Sequence, residues 1–309
     1  MHIHVLGSAA GGGFPQWNCG CPNCAGVRAG TIAAAPRTQA SVALSDSEGN
    51  CFLIHATPEI RAQLAGFPPL HPRVHPGAVR DSPLAGVILT NGDLDQCLGL
   101  LSLRESQPLQ IYATESVRQA VTHNNRFYRA LDRTPGQITW HELKLNESQT
   151  LLTPDHRSTQ LVVTTIPVPG KVPLYLEGQV EPQMDDNVAL LVTEKSGGPC
   201  LGYAPCVGGS NPDVERVVEL ADCLFFDGTF WSEDELVALG IGTKTARDMA
   251  HWPLAGLDGS LAMLAKSSSR RVLIHINNTN PILRDDSPER RETEEAAVEI
   301  AYDGLEIVL

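Results

Sequence analysis

The chain is expected to fold as a four-layer α/β/β/α sandwich, with residues 1–309 forming a single domain. Three observations predict this. Short apolar strands recur in two halves, helices fall between the strands of each half, and no Pro/Gly/Ser-rich linker divides the halves. The organising stretch is residues 86–104, GVILTNGDLDQCLGLLSLR. It reads as a buried strand (86–90), an acidic loop (91–96) and a helix start. Strand, ligand-bearing loop, helix is how an α/β fold presents polar side chains at the carboxyl edge of a sheet.

Composition bounds the function. The 309 residues are 42% apolar, enough for a large core. Net charge is −13, from 23 basic and 36 acidic residues, which argues against nucleic acid and anionic membrane as partners. No window is long and apolar enough for a transmembrane helix. The opening MHIHVLGSAAGGG lacks the basic flank and apolar run of a signal peptide, so a cytoplasmic location is expected. Eight cysteines are present, three of them clustered. In a reducing compartment the cluster argues for metal, and the scattered five read as small buried apolar residues.

Taken in order, residues 2–6 form a strand and residues 7–13, GSAAGGG, a turn needing positive φ or close packing. A nucleotide loop is disfavoured, since no GKS/GKT ending or G-x-G-x-x-G spacing follows. Residues 14–24, FPQWNCGCPNC, place Cys19, Cys21 and Cys24 on one short loop. Three thiolates at C-x-C-x2-C suit a structural Zn²⁺ whose fourth ligand comes from elsewhere. Residues 40–44 and 51–55 read as a hairpin around SDSEGN. His55 at its end reads as structural. Residues 57–65 read as a helix with Thr57 as N-cap. Residues 67–82 read as a Pro/His loop; Pro72 and Pro76 keep His71 and His75 off a common helix face.

A helix is expected over about 95–104, with Asp95 and Gln96 at its anion-favouring N-terminus. Beyond it, residues 110–112 form a strand and 115–131 an amphipathic helix. His123, His141 and His156 receive no role. Residues 161–168 form a strand, 187–193 and 200–203 a hairpin, and 212–220 a helix. The strand 223–227, CLFFD, ends in Asp227, a site-like carboxylate. A polar segment, 243–251, ends in His251. The last strong strand, 272–280, carries His275 beside Asn277, Asn278 and Asn280, where a His reads better as a ligand than as core.

The acidic loop resembles the metal loop H-x-H-x-D-H of the metallo-β-lactamase superfamily. Here it reads Asn91, Gly92, Asp93, Leu94, Asp95, Gln96, so the three histidines are gone and the Asp survives. The stretches GSAAGGGFPQWNCGCPNC, PRTQ, TPEIR, LTNGDLDQCLGLLSLRE, FFDGT, GTKTARDMAH and HINNTNPIL, spread over the whole chain, together resemble the PQQ biosynthesis protein B family. That resemblance implies the metallo-β-lactamase fold. It also implies a role in making pyrroloquinoline quinone (PQQ) from a peptide's cross-linked Glu and Tyr, as an Fe(II)/O₂-dependent hydroxylase of the tyrosine-derived ring. The rival within the family is a carrier or release factor that helps transport PQQ or its precursor to the periplasm without catalysis.

The resemblance also implies a ligand set. The superfamily's middle His slot falls near Gly170 and its bridging Asp slot near Pro205, so one metal rather than two is expected. Fe(II) would be held by Asp95, His275 and one of Asp93 or Gln96, leaving open positions. Gln96 stands where family members often have His and is a weaker ligand. Arg104, Lys171, Arg247 and Arg37 are candidates to hold substrate carboxylates, with Arg104 also placed beside the chemistry. His251 is the candidate proton shuttle or substrate contact. Resemblance to the phosphonate-pathway cyclic phosphodiesterase offers Asn278 as fourth zinc ligand. Expected partners are PQQ or its precursor, other PQQ-pathway proteins and a second copy of the chain.

Overall fold

The computed structural model describes residues 1–73 and 79–309; His75 and the middle of the expected 67–82 loop lie outside the described residues. The first half lays down β1 (His2–Gly7), β2 (Ser41–Ser45), β3 (Cys51–Ile54), β4 (Leu84–Ile88), β5 (Leu109–Ala113) and β6 (Ile138–Glu142). The second lays down β7 (Ser148–Leu152), β8 (Ser158–Pro167), β9 (Val188–Glu194), β10 (Leu201–Ala204), β11 (Cys223–Asp227), β12 (Arg270–Ile274) and β13 (Glu299–Ile300), and β14 (Glu306–Val308) closes the chain. Among the described residues these form two seven-stranded sheets, in the orders β14-β1-β2-β3-β4-β5-β6 and β13-β12-β11-β10-β9-β8-β7. β3 to β6 run parallel, as do β10 to β13.

The layers follow from the period-two alternation of strand side chains. In β11, Cys223 and Phe225 point into the core between the sheets, while Leu224 and Phe226 pack under helices. In β3, Phe52 and Ile54 face the same central core, and Cys51 and Leu53 face the helices of the other side. Three apolar clusters therefore separate four layers, as expected. Fully burying each Leu, Ile or Phe contributes roughly 1.5–3 kcal/mol, so the sheet-to-sheet core and the two sheet-to-helix cores all stabilise the fold substantially. No described helix is long and apolar enough to cross a membrane.

Several elements differ from the sequence expectation for local reasons. The helix expected from residue 57 begins at Ile60 and ends at Ala65. Thr57 does not cap it: its hydroxyl oxygen accepts from Glu59 N at 3.3 Å and its hydrogen goes to Gln63 Oε1 at 2.9 Å, making a turn before the helix. The helix expected over 95–104 is one α-turn, Leu94–Cys97, followed by a 3-10 segment, Leu98–Leu103. Gly99 presses against the backbone of Ala56 and Thr57, and its N–H donates to Ala56 O at 2.8 Å, which draws it off the α-helical ladder. The helix expected over 115–131 stops at Thr122; a 3-10 segment, Arg126–Arg133, follows the Asn124-Asn125 break. β12 ends at Ile274, because His275 takes a left-handed φ of 59° and turns the chain out of the sheet.

Candidate metal centre

Four loops leaving the carboxyl ends of β4, β10, β11 and β12 converge on one edge of the sandwich, where parallel strands deliver polar groups. After β4, Asp93 occupies the N-cap position of the short α-turn, yet its carboxylate makes no capping bond and faces the cavity. Asp95 lies in the first turn behind it. After β10 comes Cys206, after β11 Asp227 and Thr229, and after β12 His275. His251 arrives from the polar segment following the 3-10 turn Arg247–Met249.

The ligand atoms of Cys206, His251 and His275 all lie within 4.8 Å of one another. His275 Nε2 is 3.0 Å from Asp95 Oδ2, and the two imidazole rings stack with centroids 5.4 Å apart. Asp227 sets both rings. Its Oδ2 is 2.7 Å from His251 Nδ1, which turns His251 Nε2 away from Asp227. Its Oδ1 is 2.6 Å from Thr229 Oγ1, itself 2.8 Å from His275 Nδ1. One hydroxyl proton serves one acceptor. Given to Asp227, it leaves Thr229 Oγ1 to accept from His275 Nδ1–H, so Nε2 is the nitrogen that meets Asp95. Carboxylate–imidazole support of this kind orients metal-bound histidines.

Electrostatics follow the burial. Burial alone would raise the Asp95 carboxyl, but the bond to His275, the His275 charge, His55 and a backbone hydrogen bond together outweigh it and hold Asp95 below its usual value. Burial likewise works against protonated His275, and the facing Cys206 and Asp95 hold its pKa raised. Burial raises the Cys206 thiol. Asp93 is pushed up to about 6, first by burial and then by the like charge of Asp95. Cys206, His251 and His275 gather their donor atoms within 4.8 Å, with Asp95 3.0 Å from His275 Nε2, a set of donors that fits a cation, which would replace their protons.

The residues expected at the site distribute unevenly. Asp93, Asp95, His251 and His275 line one cavity of about 620 Å³, a volume suited to a small organic ligand. Lys171 lines it as well. Gln96 does not present its oxygen there. Both ends of its buried amide are engaged, Oε1 by Thr90 Oγ1 at 3.1 Å and Nε2 by Cys206 Sγ at 3.1 Å. Thr90 continues to His55 Nε2 at 2.8 Å, so His55 anchors a buried polar chain that ends at the site. Burial lowers His55 to about 3, keeping it neutral.

Three of the four basic candidates are directed elsewhere. Arg37 is buried against Ser8 and the Ala301 carbonyl. Exposed Arg104 bonds Leu101 O at 2.9 Å and faces Glu105. Arg247 pairs with Glu233 at 3.0 Å. None of the three is among the cavity-lining residues. Cys206 was the residue that sequence reasoning passed over. The slot near Pro205 was read as ligand-free, and the next residue carries the thiol. Asp227 stood out as a strand-end carboxylate without an assigned partner.

The cysteine loop forms a second cluster. The sulfurs of Cys19, Cys21 and Cys24 lie within 4.8 Å of one another. Cys21 is the N-cap of the helix Pro22–Ala29, its sulfur accepting from Cys24 N at 3.4 Å. Burial raises the Cys24 thiol to about 11. The Asn278 amide points into the group, with Nδ2 3.2, 3.6 and 3.3 Å from the three sulfurs. Half a turn of that amide presents Oδ1 instead, the orientation a cation would select.

Comparison with known proteins places this arrangement. The model of the β-lactamase superfamily domain matches residues 50–276. The chain is 43% identical, over the whole of both chains, to coenzyme PQQ synthesis protein B of Azotobacter vinelandii. It superposes on a crystal structure of Zn²⁺-bound PqqB from Methylobacterium extorquens with a TM-score of 0.90, at 39% identity and full coverage of both chains. A diphosphatase of the PhnP family shares the fold at a TM-score of 0.64 and 19% identity, covering 100% of this chain and 97% of that one.

Proposed function

The chain belongs to the coenzyme PQQ synthesis protein B family of the β-lactamase superfamily, and from that membership we infer that it acts in PQQ biosynthesis as a metal-dependent enzyme. The finer reading is Fe(II)/O₂-dependent hydroxylation of the tyrosine-derived ring of the cross-linked Glu-Tyr diamino acid. The observation that carries it is the convergence of His251, His275 and Asp95 on one cavity, with Asp227 fixing both rings. Two imidazoles and one carboxylate with open positions are the donor set of non-haem iron oxygenases.

In this reading His251, His275 and Asp95 hold the ion, with Cys206 and Asp93 beside it. Bound Fe(II) supplies the electron steps that let triplet O₂ react with an organic ring, which no side chain can do alone. The protein's own groups do the rest. Tyr175, Leu174, Phe230 and Met249 give the cavity an apolar wall for the ring. Asp93, with its pKa near 6, is placed to accept and release a proton at its carboxylate. The Gln96–Thr90–His55 chain holds the floor rigid. At the cysteine loop, Cys19, Cys21 and Cys24 with Asn278 would hold a structural Zn²⁺; the Methylobacterium extorquens relative binds zinc. The test is anaerobic loading with Fe(II), addition of the diamino acid, then measurement of O₂ uptake and ring oxidation. Tight binding of PQQ with no O₂ uptake would favour a carrier instead.

A further inference from the structure

We propose that Lys171 and Lys244 form a seat for a carboxylate of the cavity's ligand, and that Glu177 is an internal anion which that carboxylate displaces. The proposal rests on reading this cavity as the substrate site and needs no assumption about which metal is bound. Histidines aside, the two lysines are the cationic side chains that line the cavity. They come from distant segments and meet on one acid: Lys171 Nζ is 2.8 Å from Glu177 Oε1, and Lys244 Nζ is 3.5 Å from Glu177 Oε2. Two ammonium groups share one carboxylate, which leaves a local excess of positive charge around Glu177. The protein as a whole carries −13, so an anion approaching it needs such a local reversal of sign.

The bond to be displaced is weak. Glu177 is half-exposed, and ion pairs in contact with water are readily exchanged. Asp93, Asp95 and the two lysines line one cavity, and Leu174, Tyr175 and Phe230 give it an apolar wall that suits a flat ring. A second observation points to an occupant. Gln39 lines the same cavity, is 8% exposed, and its Oε1 has no hydrogen-bond partner. A buried acceptor left unpaired is costly, and a turn of the Gln39 side chain toward the cavity would let a donor on a ligand satisfy it. The class of ligand these groups fit is an aromatic carboxylate.

The test uses the full chain as purified and PQQ itself, a stable tricarboxylate, as the probe, with binding followed by calorimetry. Lys171→Ala and Lys244→Ala are each expected to weaken binding about ten-fold. The double variant should lose most of the dependence of affinity on NaCl. Lys171→Arg with Lys244→Arg should restore binding to within about three-fold of wild type, a rescue that mere unfolding would not allow. Glu177→Gln should tighten binding several-fold, because it removes the competing anion. Equal binding by wild type and the double alanine variant overturns the proposal, as does no binding by wild type. Weaker binding by Glu177→Gln overturns the displaced-anion part. Oxygen uptake by iron-loaded protein is a separate readout, so the hydroxylase reading stands or falls independently.

Discussion

Cys19, Cys21 and Cys24 come from six consecutive residues, whereas Asp95, Cys206, His251 and His275 come from four segments, with Asp95 and His275 180 positions apart. The first cluster is held by a helix start and one amide. The second exists only when both sheets are packed, because β4 belongs to one and β10 to β12 belong to the other. The two clusters meet on a single loop: three residues after His275, the Asn278 amide reaches the cysteine sulfurs. Asn23 of the cysteine loop donates to the Asn278 and Asn280 carbonyls at 3.2 and 2.9 Å. The difference teaches a direction. The cysteine loop clamps the backbone that carries His275, while His275 does little for the cysteines.

Breaking the long-range cluster should give the largest effect. His275→Ala removes one imidazole of the proposed iron site and leaves the half-buried Asp95 without its partner. Iron-dependent O₂ uptake is expected to fall about a thousand-fold. Metal analysis should show iron lost and the zinc of the cysteine loop retained. Undiminished turnover would end the assignment of His275.

Breaking the local cluster should spread further. Cys24→Ala deletes a fully buried thiol and, with it, a ligand of the proposed zinc, whose binding energy would be folding energy. The expected cost is on the order of 3 kcal/mol, read as a lower urea midpoint, with zinc absent. Because the 275–280 loop loses its clamp, iron affinity should fall as well. Zinc loss with unaltered iron affinity and stability would show the clusters to be independent.

A third variant sharpens how the imidazoles are held. Asp227 accepts from Val207 N at 2.8 Å, Thr229 N at 2.9 Å, the Thr229 hydroxyl and His251 Nδ1. Asp227→Asn puts a donor where donors already point. Iron affinity is expected to drop about 10- to 100-fold, the usual cost of losing a carboxylate behind a metal-bound His. Equal affinity would mean that the rings are set by packing alone.

The same contrast decides what the sequence could disclose. The layered fold was legible because unbroken apolar runs such as CLFFD and VALLV mark strands buried on both faces, which two sheets covered by helices provide. The cysteine cluster was legible because its spacing is its geometry. Asp95 and His275 stood out through strand-end position and family likeness. Cys206 was hidden because nothing in its neighbourhood marks a lone Cys as facing a cavity; the parallel pairing of β10 with β11 and of β11 with β12 puts it beside His275. Arg37 misled for the reverse reason. A guanidinium is expected at carboxylates, but here it bonds a hydroxyl and a backbone carbonyl inside the fold. Gln96 was weighed as a ligand because of its place in the loop, and its two buried neighbours had already taken its amide.

The smallest expected effect separates the clusters by pH. Glu235 receives hydrogen bonds from the Thr279 hydroxyl and from Trp231 N at 2.8 Å, next to the clamped loop. Burial outweighs those bonds and raises its carboxyl from 4.5 to about 7. The folded chain therefore keeps a proton between those pH values that the unfolded chain has released. A state that binds more protons is favoured at low pH, so this group makes stability fall as pH rises from about 4.5 to about 7. The slope is at most about 1.4 kcal/mol per pH unit. Glu235→Gln cannot ionise and should flatten that part of the curve, seen as urea midpoints measured from pH 5 to 8. Parallel curves for the two proteins would mean that the carboxyl ionises normally. Since Glu235 touches the loop from the Thr279 side, the variant should leave iron affinity near that of wild type, in contrast to Cys24→Ala. Loosening the backbone beyond Asn278 and removing the clamp itself are then two different perturbations of one loop.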